Sequence, residues 1–235
     1  MYIFFAPDIT HSFYTLSETE SKHCIKSMRL KKNAVIQLID GKGYVYEARI
    51  SDDNMRACTL EIVNKNYIGN PFHFYLHLAV APTKNSDRFE WFVEKAVEIG
   101  ISEISAVECK NSEKTKIKIE RIERISIAAL KQSMHSVLPI FNTQKTFETI
   151  LKDAKEKQKF IAYCGEDTNA KPFLKQLCKP QTDTLILIGP EGDFTPEEIK
   201  LAKQFGFLPV SLGNSRLRTE TAALVACNTV HFVNQ

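Results

Sequence analysis

Residues 184–213, TLILIGPEGDFTPEEIKLAKQFGFLPVSLG, decide the fold class because they contain a complete strand–helix–strand unit. The apolar run at 184–188 predicts a buried strand, 195–206 an amphipathic helix, and 207–213 a second strand. The helix carries signals at both ends: an N-cap, a proline at the first helical position, a capping-box glutamate and a terminal glycine, namely Thr195, Pro196, Glu198 and Gly206. This order of elements is typical of a parallel α/β sheet.

The alternation extends back from this unit to about residue 72. FYLHLAV, EISAVE and FIAYC predict further strands, and residues 117–134 and 219–232 predict helices. Another helix is predicted at 87–100, where a capping box of Asp87 and Glu90 would begin it and Gly100 would end it. We therefore expect a mostly parallel α/β domain over residues 72–235.

The first 70 residues differ because they read as short strands. AVIQLID and YVYEARI flank GKG, a pattern that predicts a hairpin, and ACTLEIVNKN predicts a third strand. GNP at 69–71 clusters turn residues and marks the domain boundary. The front of the chain is thus predicted to be a small β-rich module, residues 1–70.

Composition excludes several classes of protein. The chain has 235 residues, a net charge of +3 and six cysteines without a C-x-x-C pair, so we expect no metal site of that kind and treat Cys24 and Cys164 as small buried apolar residues. We find neither a signal peptide nor an apolar window long enough to span a membrane, and we expect a cytoplasmic protein with reduced cysteines.

Two loops that follow consecutive strands are the candidate binding elements, because parallel sheets bind ligands at the carboxyl ends of their strands. The first, GPEG at 189–192, would present backbone groups to a purine or a ribose. Taken alone, it is better explained as a tight turn with a solvated glutamate, Glu191. The chain contains neither a G-x-x-x-x-G-K-[ST] loop nor a G-x-G-x-x-G motif, so ordinary phosphate-loop and dinucleotide sites are not supported.

The second loop, LGNSRLRTETAA at 212–223, contains more hydrogen-bonding groups than a turn requires. Helix capping by Thr219 or Thr221, with Glu220 at the positive helix end, accounts for part of it. It does not account for Arg218, because the helix dipole disfavours a cation there. We expect a carboxylate or an anion such as phosphate to hold this arginine.

Basic residues form two clusters. The first lies between residues 21 and 39 without an acid, and the second between 110 and 131 includes Lys114 and Lys116. A solvated surface explains any single lysine, but two clusters at this net charge favour a surface that follows a phosphate backbone.

These motifs resemble a known family, the small-subunit ribosomal RNA uracil-N3 methyltransferases (the RsmE family) of the SPOUT superfamily. LIGPEGDFTPEEI and LGNSRLRTETAALVA are similar to its two cofactor loops, and Lys84, Lys95, Glu98 and Gly100 match its middle helix. HCIKSMRLKKNAVIQLIDG is similar to its N-terminal RNA-binding stretch. The resemblance covers nearly the whole chain.

The resemblance implies a PUA-like β-barrel at 1–70, a SPOUT methyltransferase domain with a trefoil knot at 72–235, and a homodimer. It implies S-adenosylmethionine as cofactor, bound by Ile188, Gly189, Pro190, Glu191, Gly192, Leu212, Gly213, Leu217, Arg218, Thr219, Glu220, Thr221 and Ala222. It implies small-subunit (16S) ribosomal RNA or the 30S particle as partner, with Lys22, His23, Lys26, Arg29 and Lys31 as RNA contacts. Asp193, Asn111, His135 and Ile125 depart from the family pattern, and we expect Asn111 and His135 to alter RNA contact.

For the reaction, we expect Arg218 to stabilise negative charge on a uracil carbonyl oxygen or an adjacent phosphate. Glu220 would orient Arg218 or bind the cofactor, and no residue stands out as a general base. Two alternatives remain open at this point. One is a SPOUT enzyme that methylates the ribose 2′-oxygen, and the other is a non-catalytic RNA-binding assembly factor.

Overall fold

The computed structural model describes residues 2–113, 117–165 and 171–235. Lys114 and Lys116 of the second basic cluster lie outside these residues. The chain forms two compact units: Met1–Pro71 with Leu130–Leu138, and Phe72–Ala129 with Pro139–Gln235. Among the described residues, no helix combines the length and the apolar character needed to cross a membrane.

The first unit is built on a five-stranded sheet with the strand order β1-β3-β4-β5-β2. The strands are β1 Ile3–Phe5, β2 Phe13–Thr15, β3 Val35–Ile39, β4 Tyr44–Asp52 and β5 Thr59–Tyr67. Helix α1 Glu18–Lys22 runs into a π-helical turn, His23–Ser27. The three predicted strands and the GKG hairpin are confirmed, since β3 pairs antiparallel with β4 across it.

The side chain of Asp40 holds the hairpin loop through hydrogen bonds. Its side chain is buried and accepts hydrogen bonds from Lys42 N, Tyr44 N and Tyr46 OH, at 2.8, 3.1 and 3.3 Å. Residues 130–138 complete this unit: Gly43 N donates to Ser136 O, and Leu138 N donates to Gly41 O. The predicted division into 1–70 and 72–235 placed residues 130–138 in the second domain, whereas they belong to the first unit.

The second unit is a six-stranded sheet in which every pairing is parallel, as the alternation predicted. The strand order is β11-β9-β10-β6-β7-β8. The strands are β6 Leu76–Val80, β7 Glu103–Glu108, β8 Ile140–Thr146, β9 Gln158–Ala162, β10 Thr184–Ile188 and β11 Leu208–Val210. The helices are α2 Ser86–Ile99, α3 Ile119–Ser133, α4 Phe147–Asp153, α5 Leu174–Leu177, α6 Pro196–Gln204 and α7 Thr219–Val233. The end of α3, from Leu130 onward, belongs to the first unit.

Helix ends test the capping predictions. The α6 capping box of Thr195 and Glu198 is confirmed, and Gly100 ends α2 with φ 112°. The predicted start of α2 is wrong. Asn85 is its N-cap and accepts from Asp87 N, so the helix begins two residues earlier than a cap at Asp87 would allow.

A buried polar network ties together the amino ends of the sheet strands. His77 on β6 donates through Nδ1 to Glu156 Oε1 at 2.7 Å, and its Nε2 lies 2.8 Å from Ser105 Oγ. Glu103 accepts from Tyr75 and Asn142. A histidine with two glutamates would suit a divalent cation, but both ring nitrogens of His77 already have protein partners.

This network predicts a pH-dependent contribution to stability. Burial raises the pKa of the Glu156 carboxyl, but hydrogen bonds from His77 and from the backbone N–H of Glu156 and Lys155 outweigh it, so the pKa lies below its ordinary value. A lowered folded-state pKa stabilises the fold above the unfolded-state pKa, and the gain is lost as pH falls through the folded-state value.

We therefore expect Glu156→Gln to lower the free energy of unfolding at neutral pH by roughly 1–3 kcal/mol, and the difference to shrink below about pH 4. Urea unfolding at several pH values measures it. Glu148→Gln, on an exposed i,i+4 pair with Lys152, is the control and should change little. Equal stability of wild type and Glu156→Gln at neutral pH would contradict the account.

Candidate active site

A cavity of about 630 Å³ lies in the second unit at the carboxyl ends of β9, β10 and β11. Its walls come from three loops, at residues 162–164, 188–193 and 210–219, together with Ala222 of α7. Strand β10 is buried along its whole length, so its apolar sequence fixes where the GPEG loop emerges. The two loops singled out from the sequence are therefore neighbours in space.

Most of the predicted cofactor residues line this cavity: Ile188, Gly189, Pro190, Glu191, Leu212, Gly213, Leu217, Arg218, Thr219 and Ala222. Gly192, Glu220 and Thr221 do not. Sequence reasoning missed Tyr163 and Cys164, which follow β9 and line the cavity. The rule that ligands bind beyond strand ends could have found them. Cys164 is exposed, so its assignment as a buried residue was wrong, whereas Cys24 is buried as expected.

Thr219 joins the two loops. Its side chain is buried, and Oγ1 donates to Gly189 O at 3.0 Å. The expected capping by Thr219 or Thr221 is wrong: Arg218 is the N-cap of α7 and has no side-chain capping bond. Thr219 is the first residue of the helix and not the residue before it, and its hydroxyl donates to the Gly189 carbonyl of the GPEG loop.

Arg218 is an exposed cation at the edge of the cavity. Within the described ranges no carboxylate forms an ion pair with it. The helix end beneath it is the positive one, which disfavours a cation unless an anion is near. The side chain is thus available to an anionic group that enters the cavity.

Glu220 has a different partner from the one predicted. Its Oε1 lies 3.9 Å from Arg88 Nε of α2, and Oε2 is buried with no hydrogen-bond partner among the described residues. The side chain is 7% exposed. A carboxylate buried to this degree is costly unless paired, so the Arg88 contact is the interaction that holds it in place.

Asp193 connects the GPEG loop to the loop after β9. Its Oδ2 accepts from Cys164 N at 2.8 Å and from Gly165 N at 3.4 Å, and its Oδ1 accepts from Phe194 N. Its own φ is 61°, in the left-handed region where aspartate is among the tolerated residues. These bonds offset the cost of that conformation and fix two walls of the cavity against each other.

Asn111, which follows β7, makes hydrogen bonds to the backbone of the GPEG loop. Its Nδ2 donates to Gly192 O at 3.2 Å and to Asp193 O at 3.1 Å. A Cβ at Gly192 would lie 3.1 Å from Asn111 Cβ, so glycine permits this close approach. Two of the departures from the family pattern, Asn111 and Asp193, therefore meet on one loop, where Asn111 contacts the protein's own backbone.

The predicted RNA contacts lie in the first unit, on α1, the π-helical turn and the segment after it. Lys22, His23, Lys26, Arg29 and Lys31 are all exposed. Lys22 pairs with Glu18 at 2.6 Å, and Arg29 has φ 56°. Their exposure suits a contact surface, and their role in RNA binding stays a prediction.

Comparison with known proteins covers both units. A family model described as RNA methyltransferase domain matches residues 70–231, and one described as RNA methyltransferase PUA domain matches 16–63. Ribosomal RNA small subunit methyltransferase E of Mesomycoplasma hyopneumoniae is 32% identical over 95% of this chain and 96% of its own.

Two solved structures are also similar over nearly their full lengths. A probable rRNA-methyltransferase from Porphyromonas gingivalis is 39% identical with a TM-score of 0.95, covering 100% of this chain and 98% of that one. Ribosomal RNA small subunit methyltransferase E from Neisseria gonorrhoeae, solved with S-adenosyl methionine bound, is 26% identical with a TM-score of 0.84, covering 100% and 98%.

Proposed function

The chain belongs to the RsmE family of ribosomal RNA small subunit methyltransferases, and from that premise we propose that it methylates N3 of a uridine in small-subunit ribosomal RNA. It is an S-adenosylmethionine-dependent RNA methyltransferase. The observation that carries the proposal is the cavity beyond β9, β10 and β11, walled by the two loops that carry the family's motifs. The PUA-like barrel, the knot and the cytoplasmic location belong to this proposal.

The cavity fits the cofactor in size and chemistry. About 630 Å³ lies within the range of small-molecule sites, and the walls combine apolar side chains with backbone groups held at fixed positions. Ile188, Leu212 and Leu217 would cover the adenine, and the loop backbone at 189–192 and 212–213 would meet its polar edges. A Cβ added at Gly213 would have no other atom within 4 Å, so the space beside this glycine is open to a ligand.

When bound, S-adenosylmethionine supplies an electrophilic methyl group. The chain must bring uracil N3 into line with that group and favour loss of the N3 proton. We assign this role to Arg218, because its guanidinium can stabilise the charge that develops on a uracil carbonyl oxygen. We assign Glu220 to hold the start of α7 through Arg88, and Thr219 to keep the two loops together.

The proposed homodimer concerns α2 and α7. Trp91 of α2 and Phe232 of α7 are 46% and 65% exposed, whereas Ala223 and Ala226 of α7 are buried within the chain itself. Exposed aromatic side chains on two helices of one unit suit a subunit interface. Sedimentation of the chain at several concentrations tests this assignment.

The proposal is tested by incubating the protein with labelled S-adenosylmethionine and unmodified small ribosomal subunits. We expect label in the small-subunit RNA. A non-catalytic assembly factor would bind no cofactor in calorimetry and transfer no label.

Asn111 gives a sharper test of the loop geometry. Asn111→Asp keeps the shape but removes the donor of both bonds to the GPEG loop, so we expect the Kd for S-adenosylmethionine to rise about 10-fold. Calorimetry measures it. Lys110→Ala is the matched control, because its side chain is exposed and its backbone N–H, which donates to Glu198, is kept in the variant. An unchanged Kd in Asn111→Asp would show that the loop holds its shape without Asn111.

A further inference from the structure

Two tyrosine rings meet at one end of the sheet in the first unit. Tyr44 of β4 and Tyr67 of β5 are register partners, with ring centroids 4.9 Å apart and an interplanar angle of 59°. Tyr46 stands behind them, buried, with its centroid 6.3 Å from that of Tyr44. Tyr67 is 68% exposed, more than any other large apolar side chain among the described residues.

A lysine completes this surface. Lys65 Nζ lies 4.1 Å from the Tyr44 ring centroid and 5.6 Å from that of Tyr46. In the described part of the chain no carboxylate pairs with Lys65. Asp40, which accepts from Tyr46 OH, is buried and already accepts three hydrogen bonds. The surface therefore combines exposed aromatic area with positive charge.

The backbone holds Tyr67 in its exposed position. Gly43 O accepts from both Ile68 N and Gly69 N, at 2.9 and 3.1 Å. A Cβ at Gly43, where φ is 100°, would lie 2.8 Å from the Tyr67 ring, so glycine backbone packs against that ring. A ring backed by protein yet largely exposed has a restricted position and keeps apolar area in water. Such an arrangement is preorganised for a flat ligand.

We propose that Tyr44, Lys65 and Tyr67, the tyrosine platform, bind an unpaired base of the substrate RNA by stacking. Aromatic side chains stack on unpaired bases regardless of sequence, and a neighbouring lysine meets the phosphate that follows. RNA is favoured over a protein partner because the platform combines exposed aromatic area with a lysine that forms no ion pair among the described residues. The inference rests on the proposed function for the identity of the RNA.

The test is binding of the full-length protein to a labelled single-stranded RNA of about 12 nucleotides and to a duplex of the same length. We expect Tyr67→Ala to weaken single-strand binding roughly 10-fold or more, and Tyr67→Phe to stay within about 2-fold. Lys65→Ala should weaken binding and reduce its salt dependence by about one phosphate contact. Tyr2→Ala, on another exposed tyrosine of this unit, is the matched control.

A second measurement reports stacking directly, so that loss of binding caused by misfolding of a variant can be recognised. Tyr67→Trp should show fluorescence quenched by the single-stranded RNA, beyond any change seen for Trp91 in the wild type. Affinity for S-adenosylmethionine should be unchanged in every variant. The proposal is contradicted if Tyr67→Ala binds RNA as tightly as the wild type, or if RNA does not quench the fluorescence of Tyr67→Trp. It is also contradicted if the variants change the oligomeric state of the protein and leave RNA affinity unchanged. If the proposed function is wrong and the platform is right, the protein transfers no methyl group to ribosomal RNA but still binds single-stranded RNA through Tyr67.

Discussion

Replacing Arg218 with alanine is expected to slow methyl transfer by about two to three orders of magnitude while the protein still binds S-adenosylmethionine. Removal of one preorganised group that stabilises developing charge has costs of this size. The exposure of Arg218, its position at the cavity edge and the lack of an ion pair within the described ranges all leave its guanidinium free for substrate.

Single-turnover rates with saturating cofactor measure this effect, and calorimetry measures cofactor affinity. Arg216→Ala is the comparison variant: Arg216 is exposed and lines the same cavity, but it lies three residues before the first residue of α7, whereas Arg218 is the N-cap. We expect the rate of Arg216→Ala to fall less than about 10-fold. A near-wild-type rate in Arg218→Ala would remove its assigned role. A rate loss matched by a loss of cofactor affinity would make it a binding residue instead.

Filling the cavity should have the second large effect. Ala222 lines it from the first turn of α7 and is half-buried. A phenylalanine there would occupy space that the cofactor needs, and we expect Ala222→Phe to raise the Kd for S-adenosylmethionine by more than about 100-fold. The thermal stabilisation that the cofactor gives the wild type should then disappear.

Ala222→Gly is the control, because it leaves the cavity open. It should lose up to about 1 kcal/mol of stability, as glycine does within a helix, and still bind the cofactor. Retention of cofactor binding by a folded Ala222→Phe would mean that the cofactor site lies elsewhere.

The sequence predicted the parts of the fold that follow from local patterns. The buried strand at 184–188, the helix α6 with its complete capping signals and the parallel order of the sheet were all readable from periodicity and end residues. Strand β8 was missed, because it is an edge strand with polar, partly exposed residues and lacks a continuous apolar run.

Interactions between residues far apart in the sequence could not be predicted. Glu220 and Arg218 are close in sequence, so they seemed natural partners, yet Glu220 lies against Arg88, 132 positions away along the chain. The contact of Asn111 with Gly192 and Asp193 likewise depends on how β7 and β10 are placed in the sheet. The order of strands in the sheet determines such pairings, and local sequence patterns do not predict them.

The most direct test of the central claim is the position of the transferred methyl group. Small ribosomal subunits that lack the modification are incubated with the protein and S-adenosylmethionine, and the RNA is digested to nucleosides for mass spectrometry. We expect one new product, a uridine methylated at N3, which forms about two to three orders of magnitude more slowly when Arg218→Ala is used under the same conditions. A methyl group on the ribose or on another base, or no transfer by the wild type, would contradict it.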